Sequence, residues 1–207
     1  MADFLAIDTS SRYLTVAARK GEKTVVRHLP ECAMQHSVIL IDEIEKTLRQ
    51  AELSLNDCAF FAAVVGPGSF TGIRIGVSTV KGFALGAGKP LMPITSFEMI
   101  AYNVKDENFC VAIDAGRGNY YVCGFGADKK ITLQPCYMSG EGVAALNMPV
   151  YGFEDLPFER YVKLDVKNCL CPAVCAGLAP LSNDICALYV RKSQAEENRN
   201  AAKKLEI

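Results

Sequence analysis

The sequence predicts an α/β fold made of two similar halves, and three observations support this prediction. The chain begins with an antiparallel meander of three expected strands, Phe4–Asp8, Tyr13–Arg19 and Lys23–Leu29. The continuous apolar run Phe60–Val65 is typical of a strand buried on both faces of a sheet, and a helical pattern follows it. Ala6-Ile7-Asp8 recurs as Ala112-Ile113-Asp114, and each copy leads through a turn to a valine, Val16 or Val122, eight residues after the aspartate.

Length and composition are those of a globular protein with a sizeable core. The chain has 207 residues, of which 50% are hydrophobic and 22% charged, enough for one large domain or two small ones. A formal net charge of -1 gives no overall attraction for nucleic acid or anionic membranes, so any RNA contact has to be local or made through a partner. The N-terminus lacks a basic segment before an apolar core, and no apolar span reaches about 20 residues. We therefore expect a cytoplasmic protein that does not contact membranes.

The nine cysteines are expected to be buried thiols rather than a disulfide framework. Their number is odd, and they are scattered singly apart from the cluster Cys169, Cys171 and Cys175. That cluster lacks the Cys-x-x-Cys pairs and following histidines of a zinc site. The two histidines, His28 and His36, also lack zinc-site spacing, so we expect neither a metal nor another cofactor.

The first helix is expected over Gln35–Ala51. One broad apolar stripe consists of Leu40, Ile41, Ile44, Leu48 and Ala51. The other side is mixed, and its second turn is apolar nearly all round. Two interpretations remain open for this side: the helix is wedged deeply between the sheet and a neighbouring element, or it presents a surface to a partner protein. The candidate partner-binding residues are His36, Ile39, Glu43 and Thr47.

The second helix, Gly72–Gly86, follows a glycine-rich loop and has three distinct sides. Four residues are expected to face the core: Ile73, Val77, Val80 and Ala84. Arg74, Ser78, Lys81 and Leu85 fall on another side. A third side carries Ile75, Thr79, Gly82 and Gly86. Glycine inside a helix lowers helix stability by about 1 kcal/mol relative to alanine, so the presence of Gly76 and Gly82 has to be explained. Close approach of another backbone is one explanation. We therefore expect the third side to contact a partner.

A second interpretation of the glycine-rich loop before the second helix is phosphate binding, because glycines before a helix N-terminus direct backbone N–H groups toward an anion. The P-loop pattern fails, since Ile73 and Arg74 stand where Lys and Ser or Thr are required. The dinucleotide fingerprint fails as well, because Gly66, Gly68 and Gly72 are spaced one residue too widely. Structural or partner-presenting glycines are the favoured interpretation.

The rest of the chain alternates strands and short helices. A capped turn is expected at Ser54–Asp57, and Thr95 or Ser96 is expected to cap a helix that runs to about Asn103. Further strands are expected at Pro90–Ile94, Phe109–Asp114, Asn119–Phe125, Ile131–Met138 and Val150–Phe153. Further helices are expected at Val166–Leu178, interrupted by Pro172, and at Gln194–Leu205. We place a first lobe with the candidate partner-binding helices at residues 1–104, and a smaller lobe with the C-terminal helix at residues 105–207.

Several segments together resemble the TsaB (YeaZ) family of bacterial tRNA threonylcarbamoyladenosine biosynthesis proteins. The similar segments are Ala6-Ile-Asp-Thr-Ser10, His36-Ser37, Gly66-Pro-Gly-Ser-Phe-Thr-Gly-Ile-Arg-Ile-Gly76, Lys89-Pro90, Ala112-Ile-Asp114 and Tyr189-Val-Arg191. The resemblance is dense over residues 1–125 and sparse from there to the end. It implies two lobes of the actin-like, sugar-kinase-like ATPase fold, which is ribonuclease H-like, with the second lobe reduced.

The resemblance also implies a role. Family members are similar to the catalytic subunit TsaD and pair with it through their first two helices, and the ATPase TsaE joins that pair. The assembly transfers a threonylcarbamoyl group from its adenylate to N6 of the adenosine just 3′ of the anticodon, in tRNAs reading codons that begin with A. This chain would then be a non-catalytic subunit without catalytic residues, and it would contact tRNA indirectly through the complex.

Two positions agree with a non-catalytic role. In the catalytic paralogue, an Asn-His-x-Glu-x-His segment follows the equivalent of Lys89–Ile94 and supplies two metal-binding histidines. Ser96 and Ile100 stand at those positions here, and neither replaces imidazole as a ligand. The chain departs from the family's pattern at Val38 and Asp42, where Glu and Pro are usual, and at Ala187, where Pro is usual. Val38 makes the first helix more apolar.

Two further expectations concern function and assembly. The alternative to a non-catalytic subunit is a small ATP-dependent phosphotransferase of the sugar-kinase class, for which Asp8 and Asp114 are candidate acids and Arg117 could meet phosphate. We favour the interpretation that both aspartates are ordinary turn residues of their hairpins. On its own, the chain is expected to form a homodimer through its two apolar helices, because soluble monomers rarely leave such a patch uncovered.

Overall fold

The computed structural model describes residues 2–177 and 179–190. The strands in these ranges are β1 (Phe4–Asp8), β2 (Leu14–Lys20), β3 (Lys23–Leu29), β4 (Phe60–Gly66), β5 (Leu91–Thr95), β6 (Phe109–Gly116), β7 (Asn119–Phe125), β8 (Ile131–Ser139), β9 (Val150–Gly152) and β10 (Tyr161–Lys163). The α-helices are α1 (His36–Ala51), α2 (Phe70–Ala87), α3 (Ser96–Ala101), α4 (Gly140–Ala145) and α5 (Leu170–Ala176). The expected helix Gln194–Leu205 lies outside the described residues.

The strands form two five-stranded sheets with the same topology. The first sheet has the order β3-β2-β1-β4-β5, and the second has the order β8-β7-β6-β9-β10. In both sheets the first three strands are antiparallel, and the fourth and fifth are parallel to the first and to each other. The duplication inferred from the two Ala-Ile-Asp segments is therefore confirmed, since β1 and β6 occupy equivalent central positions.

The second half is the smaller copy. Between the third and fourth strands, α1 has 16 residues whereas α4 has only six. Between the fourth and fifth strands, the first half has the 18-residue α2, whereas residues 153–160 of the second half contain no helix. The expected reduction of the second lobe is confirmed. Two of its elements, α4 and β10, were not predicted, because each is short and lacks a clear hydrophobic period.

A single hydrophobic cluster joins the two sheets. α3 and α5 contact each other and lie between the sheets, and the cluster around them draws buried aromatic residues from both halves. These residues include Phe4, Phe60, Phe97, Phe109 and Phe125. A second cluster lies between the first sheet and α1 with α2, and a third lies between the second sheet and α4. The layer order is therefore helices, sheet, helices, sheet, helix.

Local signals in the sequence fix several boundaries. Thr95 caps α3 through a capping box with Glu98, and Ser54 accepts a hydrogen bond from the Asp57 amide in a short 3-10 turn. The expected helix Val166–Leu178 is divided into a 3-10 turn at Val166–Asn168 and α5 at Leu170–Ala176. The division lies at Cys169 and not at Pro172, where the sequence predicted an interruption. Pro172 lies in the first turn of α5, where its missing N–H leaves no hydrogen bond unmade.

The last described segment, residues 179–190, returns to the first half and is called the strap. Ser182 pairs with Leu91 of the edge strand β5, and the Leu188 amide donates to the carbonyl oxygen of Val65 over 2.7 Å. Ile185 is buried in the cluster beneath α2. The strap, which the predicted division places with the second lobe, therefore packs on the first sheet.

Two further observations concern the whole set of described residues. The nine cysteines all lie within them as free thiols, and only Cys186 is exposed. None of the helices in the described ranges is both long and apolar enough to cross a lipid bilayer.

Candidate functional site

The glycine-rich loop packs tightly against the turn between β1 and β2. A Cβ added to Gly72 would lie 2.0 Å from the Thr9 carbonyl oxygen, and one added to Gly68 would lie 2.2 Å from that of Ser10. A Cβ on Gly76 would come within 2.5 Å of Thr9 Oγ1. The expected close approach at Gly76 is therefore made by this chain's own turn, by the Thr9 side chain and not by another backbone.

Several polar groups of this loop are already paired within the chain. The Ser69 amide donates to the Ser10 carbonyl oxygen over 2.6 Å, and the Gly72 amide donates to Ser69 Oγ over 3.2 Å. Thr9 Oγ1 donates to the Gly72 carbonyl oxygen over 2.7 Å. These amides are the groups that an anion at the start of α2 would use, so the structure favours the structural interpretation of the glycines.

The two equivalent hairpins border a cleft of about 490 Å³ between the halves. Asp8 is fully buried, where it accepts hydrogen bonds from the Ser10 amide (2.8 Å) and the Tyr13 hydroxyl (2.7 Å), and burial raises the pKa of its carboxyl. Its counterpart Asp114 is exposed, and the Asp114 amide donates to Glu154 over 2.7 Å. Burial also raises the pKa of Glu154. The hairpins thus face each other across a cleft with carboxylates on the side of the second half.

Ser96 and Ile100, where the resemblance places the metal-binding histidines of the catalytic subunit, lie inside the core. Ser96 is fully buried and donates to the Pro67 carbonyl oxygen over 2.7 Å, and Ile100 is fully buried in the cluster between the sheets. His28 contacts Thr15 and His36 contacts the Tyr13 carbonyl oxygen. Among the described residues, no three His, Cys, Asp or Glu side chains lie close enough together to hold a metal ion.

The structure corrects the expected outward side of α1. His36, Glu43 and Thr47 are buried, because this side of the helix packs on β2 and β3. Glu43 forms ion pairs with Arg27 of β3 (2.6 Å) and with Lys46 (2.7 Å). Ile39, the fourth of these candidates, is half-buried against the cluster beneath α1.

The outward side of α1 is mostly polar, but its first two turns expose two large apolar side chains. Val38 is 76% exposed, and Ile41, expected in the core stripe, is 47% exposed. Met34, just before the helix, is 96% exposed. The ion pair between Glu43 and Arg27 connects α1 to β3. Leu40 and Ile44 are buried on the same side of the helix, which leaves Ile41 facing outward. The nearly complete apolar ring of the second turn was the available signal for an exposed patch.

A groove of about 500 Å³ runs between α1 and α2. It is lined by Ser37, Leu40, Ile41, Phe70, Thr71, Arg74, Ile75, Ser78 and Thr79. Of the candidates on α2, Ile75 and Thr79 are half-buried beside this groove. Gly82 and Gly86 are exposed further along the helix, and a Cβ added at either position would meet no atom within 4 Å. The structure therefore brings Ile75 and Thr79 together with Ile41 at this groove, while Ile75 also lines the cleft between the halves together with His36.

Comparisons with known proteins agree with the resemblance found in the sequence. The family model described as TsaD: tRNA N6-adenosine threonylcarbamoyltransferase matches residues 28–192. The tRNA threonylcarbamoyladenosine biosynthesis protein TsaB of Haemophilus influenzae is 37% identical over 123 residues, which cover 56% of this chain and 51% of that protein. TsaB of Escherichia coli is 33% identical over 129 residues, which cover 60% of this chain and 55% of that protein. The chain spans about half the length of the curated relatives it matches.

A solved structure has the same fold. YeaZ from Pseudomonas aeruginosa superposes with a TM-score of 0.73 at 20% identity, over 91% of this chain and 100% of that chain. The expected duplicated fold is thus confirmed by the strand order and by this neighbour together.

Proposed function

Because the chain belongs to the TsaD family, that of tRNA N6-adenosine threonylcarbamoyltransferase, we propose that it is a non-catalytic subunit of a complex that makes threonylcarbamoyladenosine in tRNA. In this proposal it binds and stabilises the catalytic paralogue TsaD. The ATPase TsaE joins the pair. tRNA is contacted through the complex, in keeping with a net charge of -1.

The observation that carries this proposal is an uncovered apolar face at the N-terminal ends of α1 and α2. Ile41 and Phe70 line the groove between the helices and are exposed, and Val38 is exposed in the first turn of α1. Contiguous exposed apolar side chains rimmed by polar residues mark sites of protein association. A paralogue with the same pair of helices can cover this face with near two-fold geometry.

The interior of the chain supports a non-catalytic role. The Ser96 hydroxyl donates a hydrogen bond to the Pro67 carbonyl oxygen, and Ile100 is a core residue, so neither position is available for metal chemistry. Asp8 is buried with both carboxylate oxygens engaged by Ser10 and Tyr13. A general base needs access to its substrate, and this carboxylate lacks it.

The same helices support a homodimer when the paralogue is absent. An apolar face on one molecule can be covered by the same face of a second copy, which is the usual arrangement of a two-fold dimer. Adding the paralogue should then dissociate the homodimer, because the paralogue and the second copy compete for the same surface of the chain. Light scattering of the mixture measures this. A homodimer that persists inside the mixed complex would contradict a shared surface.

The alternative function, a small ATP-dependent phosphotransferase, is favoured by one observation, the cleft of about 490 Å³ between the two hairpins. Direct titration with ATP and magnesium separates the two functions. Tight binding with turnover by the isolated chain would support the phosphotransferase and exclude a purely structural subunit.

Reconstitution tests the proposal. The chain, the paralogue, TsaE and unmodified tRNA are combined, and threonylcarbamoyladenosine is measured with each protein omitted in turn. We expect no product from this chain alone and a large loss of product when it is omitted. Ile41→Lys should weaken paralogue binding, whereas Val162→Lys, an exposed apolar position in the second half, is the matched control. Full product formation without this chain would refute the proposal.

A further inference from the structure

Tyr189, at the end of the strap, contacts the first turns of α2. The ring centroids of Tyr189 and Phe70 lie 5.1 Å apart. Arg74 Nε donates a hydrogen bond to the Tyr189 hydroxyl over 2.9 Å. Arg74 Cζ lies 3.8 Å from the Phe70 ring centroid and 5.9 Å from that of Tyr189. The Arg74 guanidinium is therefore held in one orientation by two aromatic residues.

The strap fixes the position of Tyr189. The amide of the preceding residue, Leu188, donates to Val65 of the central strand β4. Asp184 forms an ion pair with Lys81 of α2 over 2.5 Å, and Ile185 is 3% exposed. Tyr189 is thus presented by chain that is anchored on both the sheet and α2, so its ring and hydroxyl are preorganised before any partner arrives.

Two of these three side chains belong to the groove between α1 and α2, and Tyr189 contacts both of them. Phe70 and Arg74 line the groove, while Phe70 and Tyr189 are 44% and 43% exposed. Within the described ranges Arg74 takes part in no ion pair, and its one hydrogen bond uses Nε. The outer nitrogens of an oriented guanidinium form the planar fork that matches a carboxylate.

We propose that Phe70, Arg74 and Tyr189 form one hot spot of the partner surface, in which Arg74 receives a carboxylate from a helix of the catalytic paralogue. Tyr189 is the positioning residue for Arg74. Arginine and tyrosine dominate the binding energy of protein interfaces, and a groove between two helices fits a helix of the partner. The inference rests on the proposed function, because it specifies the chemistry of that same surface.

A double-mutant cycle tests the inference. Affinity for the purified paralogue is measured for the wild-type chain, Arg74→Ala, Tyr189→Phe and the double variant, at low and high salt. We expect Arg74→Ala to bind about 30-fold more weakly and to lose most of the salt dependence. Tyr189→Phe keeps the ring but loses the hydroxyl, and it should bind about fivefold more weakly. The double variant should bind no more weakly than Arg74→Ala, because Tyr189 acts through Arg74.

Tyr151→Phe is the matched control. Its hydroxyl donates to Asp106 over 2.7 Å in the second half of the chain, so this variant loses a comparable hydrogen bond without touching the groove. Its paralogue affinity should equal that of the wild type. The melting temperature of Tyr189→Phe should stay within the range spanned by the wild type and this control.

The possible results separate the two proposals. If the losses of binding free energy in the two single variants add in the double variant, the positioning role of Tyr189 is overturned. If Arg74→Ala binds the paralogue as tightly as the wild type does, the hot spot is overturned. Either result leaves the proposed function standing, because the wild type still binds. A wild-type chain that does not bind the paralogue would overturn the proposed function and this inference together.

Discussion

Gly72 and Gly82 lie in the same helix for different physical reasons. Gly72 faces the turn between β1 and β2, where the Thr9 carbonyl oxygen leaves no room for a side chain. Gly82 faces solvent, and nothing lies within 4 Å of an added Cβ. Gly72 is therefore required by the fold of this chain, whereas Gly82 is accessible for contact with a partner.

Alanine substitution distinguishes the two positions. We expect Gly72→Ala to destabilise the fold by about 3 kcal/mol, because its Cβ would lie 2.0 Å from a backbone oxygen that cannot turn aside. The control Gly82→Ala should raise stability by up to about 1 kcal/mol, because alanine has the higher helix propensity. Urea unfolding of both variants measures the difference. Equal stabilities would contradict the tight packing of the loop.

A larger residue at Gly82 tests its proposed role in association. Gly82→Leu should leave the fold intact or stabilise it by roughly 0.8 kcal/mol, because the site is open and leucine favours a helix. An overpacked contact typically costs about 1 to 3 kcal/mol, so paralogue binding should weaken roughly five- to a hundredfold. Calorimetric titration and a melting curve measure the two effects. If Gly82→Leu binds the paralogue with the affinity of the wild type, Gly82 is not part of the partner surface.

Glu43 makes part of the stability depend on pH. Burial raises the pKa of its carboxyl, but hydrogen bonds from Arg27 and Lys46 outweigh burial and hold the pKa below the ordinary value of 4.5. A carboxyl with a lowered folded-state pKa contributes stability above its unfolded pKa and loses it as pH falls through the folded pKa. The wild type should therefore lose more stability than Glu43→Gln between pH 6 and pH 3.

Glu45→Gln is the control for this pH dependence, because Glu45 is exposed on the same helix. Urea unfolding at several pH values gives the free energies. The gap between the wild type and Glu43→Gln should narrow as the pH falls, while Glu45→Gln should follow the wild type throughout. A constant gap would show that the charge of Glu43 is irrelevant to folding.

At the scale of elements, the strands and the two long helices could be predicted with boundaries close to those observed. Their signals are strong: β4 is apolar throughout, and the core positions of α2, such as Ile73 and Val80, repeat with helical spacing. The orientation of α1 could not be predicted, because Glu43 faces the sheet only by pairing with Arg27, a residue distant in sequence. The candidate surface was therefore placed partly on a side of α1 that is buried against the sheet, and its role in partner binding stays a prediction.

Charge in the first turn of α1 tests the apolar face as a whole. Val38 is 76% exposed, and the first turn of the helix has no acidic residue. Val38→Glu should stabilise the chain by about 0.3 to 1 kcal/mol, because a carboxylate near a helix N-terminus is favourable. The same change should shift the homodimer toward monomer, since it places charge in the apolar contact. Light scattering across a concentration series measures the shift, and an unchanged dimer would place that interface elsewhere.

At the scale of the whole molecule, the two halves depend on one core. Phe97 and Ile100 of the first half pack with Phe109 and Phe125 of the second in a single cluster. Burial of a side chain such as phenylalanine stabilises by about 1.5 to 3 kcal/mol, so separating the sheets would remove several such contributions. The strap adds a second connection, because it returns from the second half to β5.

We therefore expect one cooperative unfolding transition. Calorimetry of the full chain should give a single peak whose calorimetric and van't Hoff enthalpies agree. A fragment of residues 2–104 should lack cooperative unfolding, because it exposes Phe97 and Ile100 and loses the strap. Two resolved transitions, or a fragment with a sharp transition, would show that the first half folds independently.

The unequal helices of the two halves give the proposed partner surface one copy in each molecule. Within the described residues, a pair of long helices covers the outside of the first sheet, whereas the second sheet has the six-residue α4 on the corresponding side. We expect a molecule with one such face to bind one partner through it. The proposed homodimer and the proposed mixed complex would then be mutually exclusive states of one subunit. The cellular ratio of subunit to paralogue would set their balance by mass action.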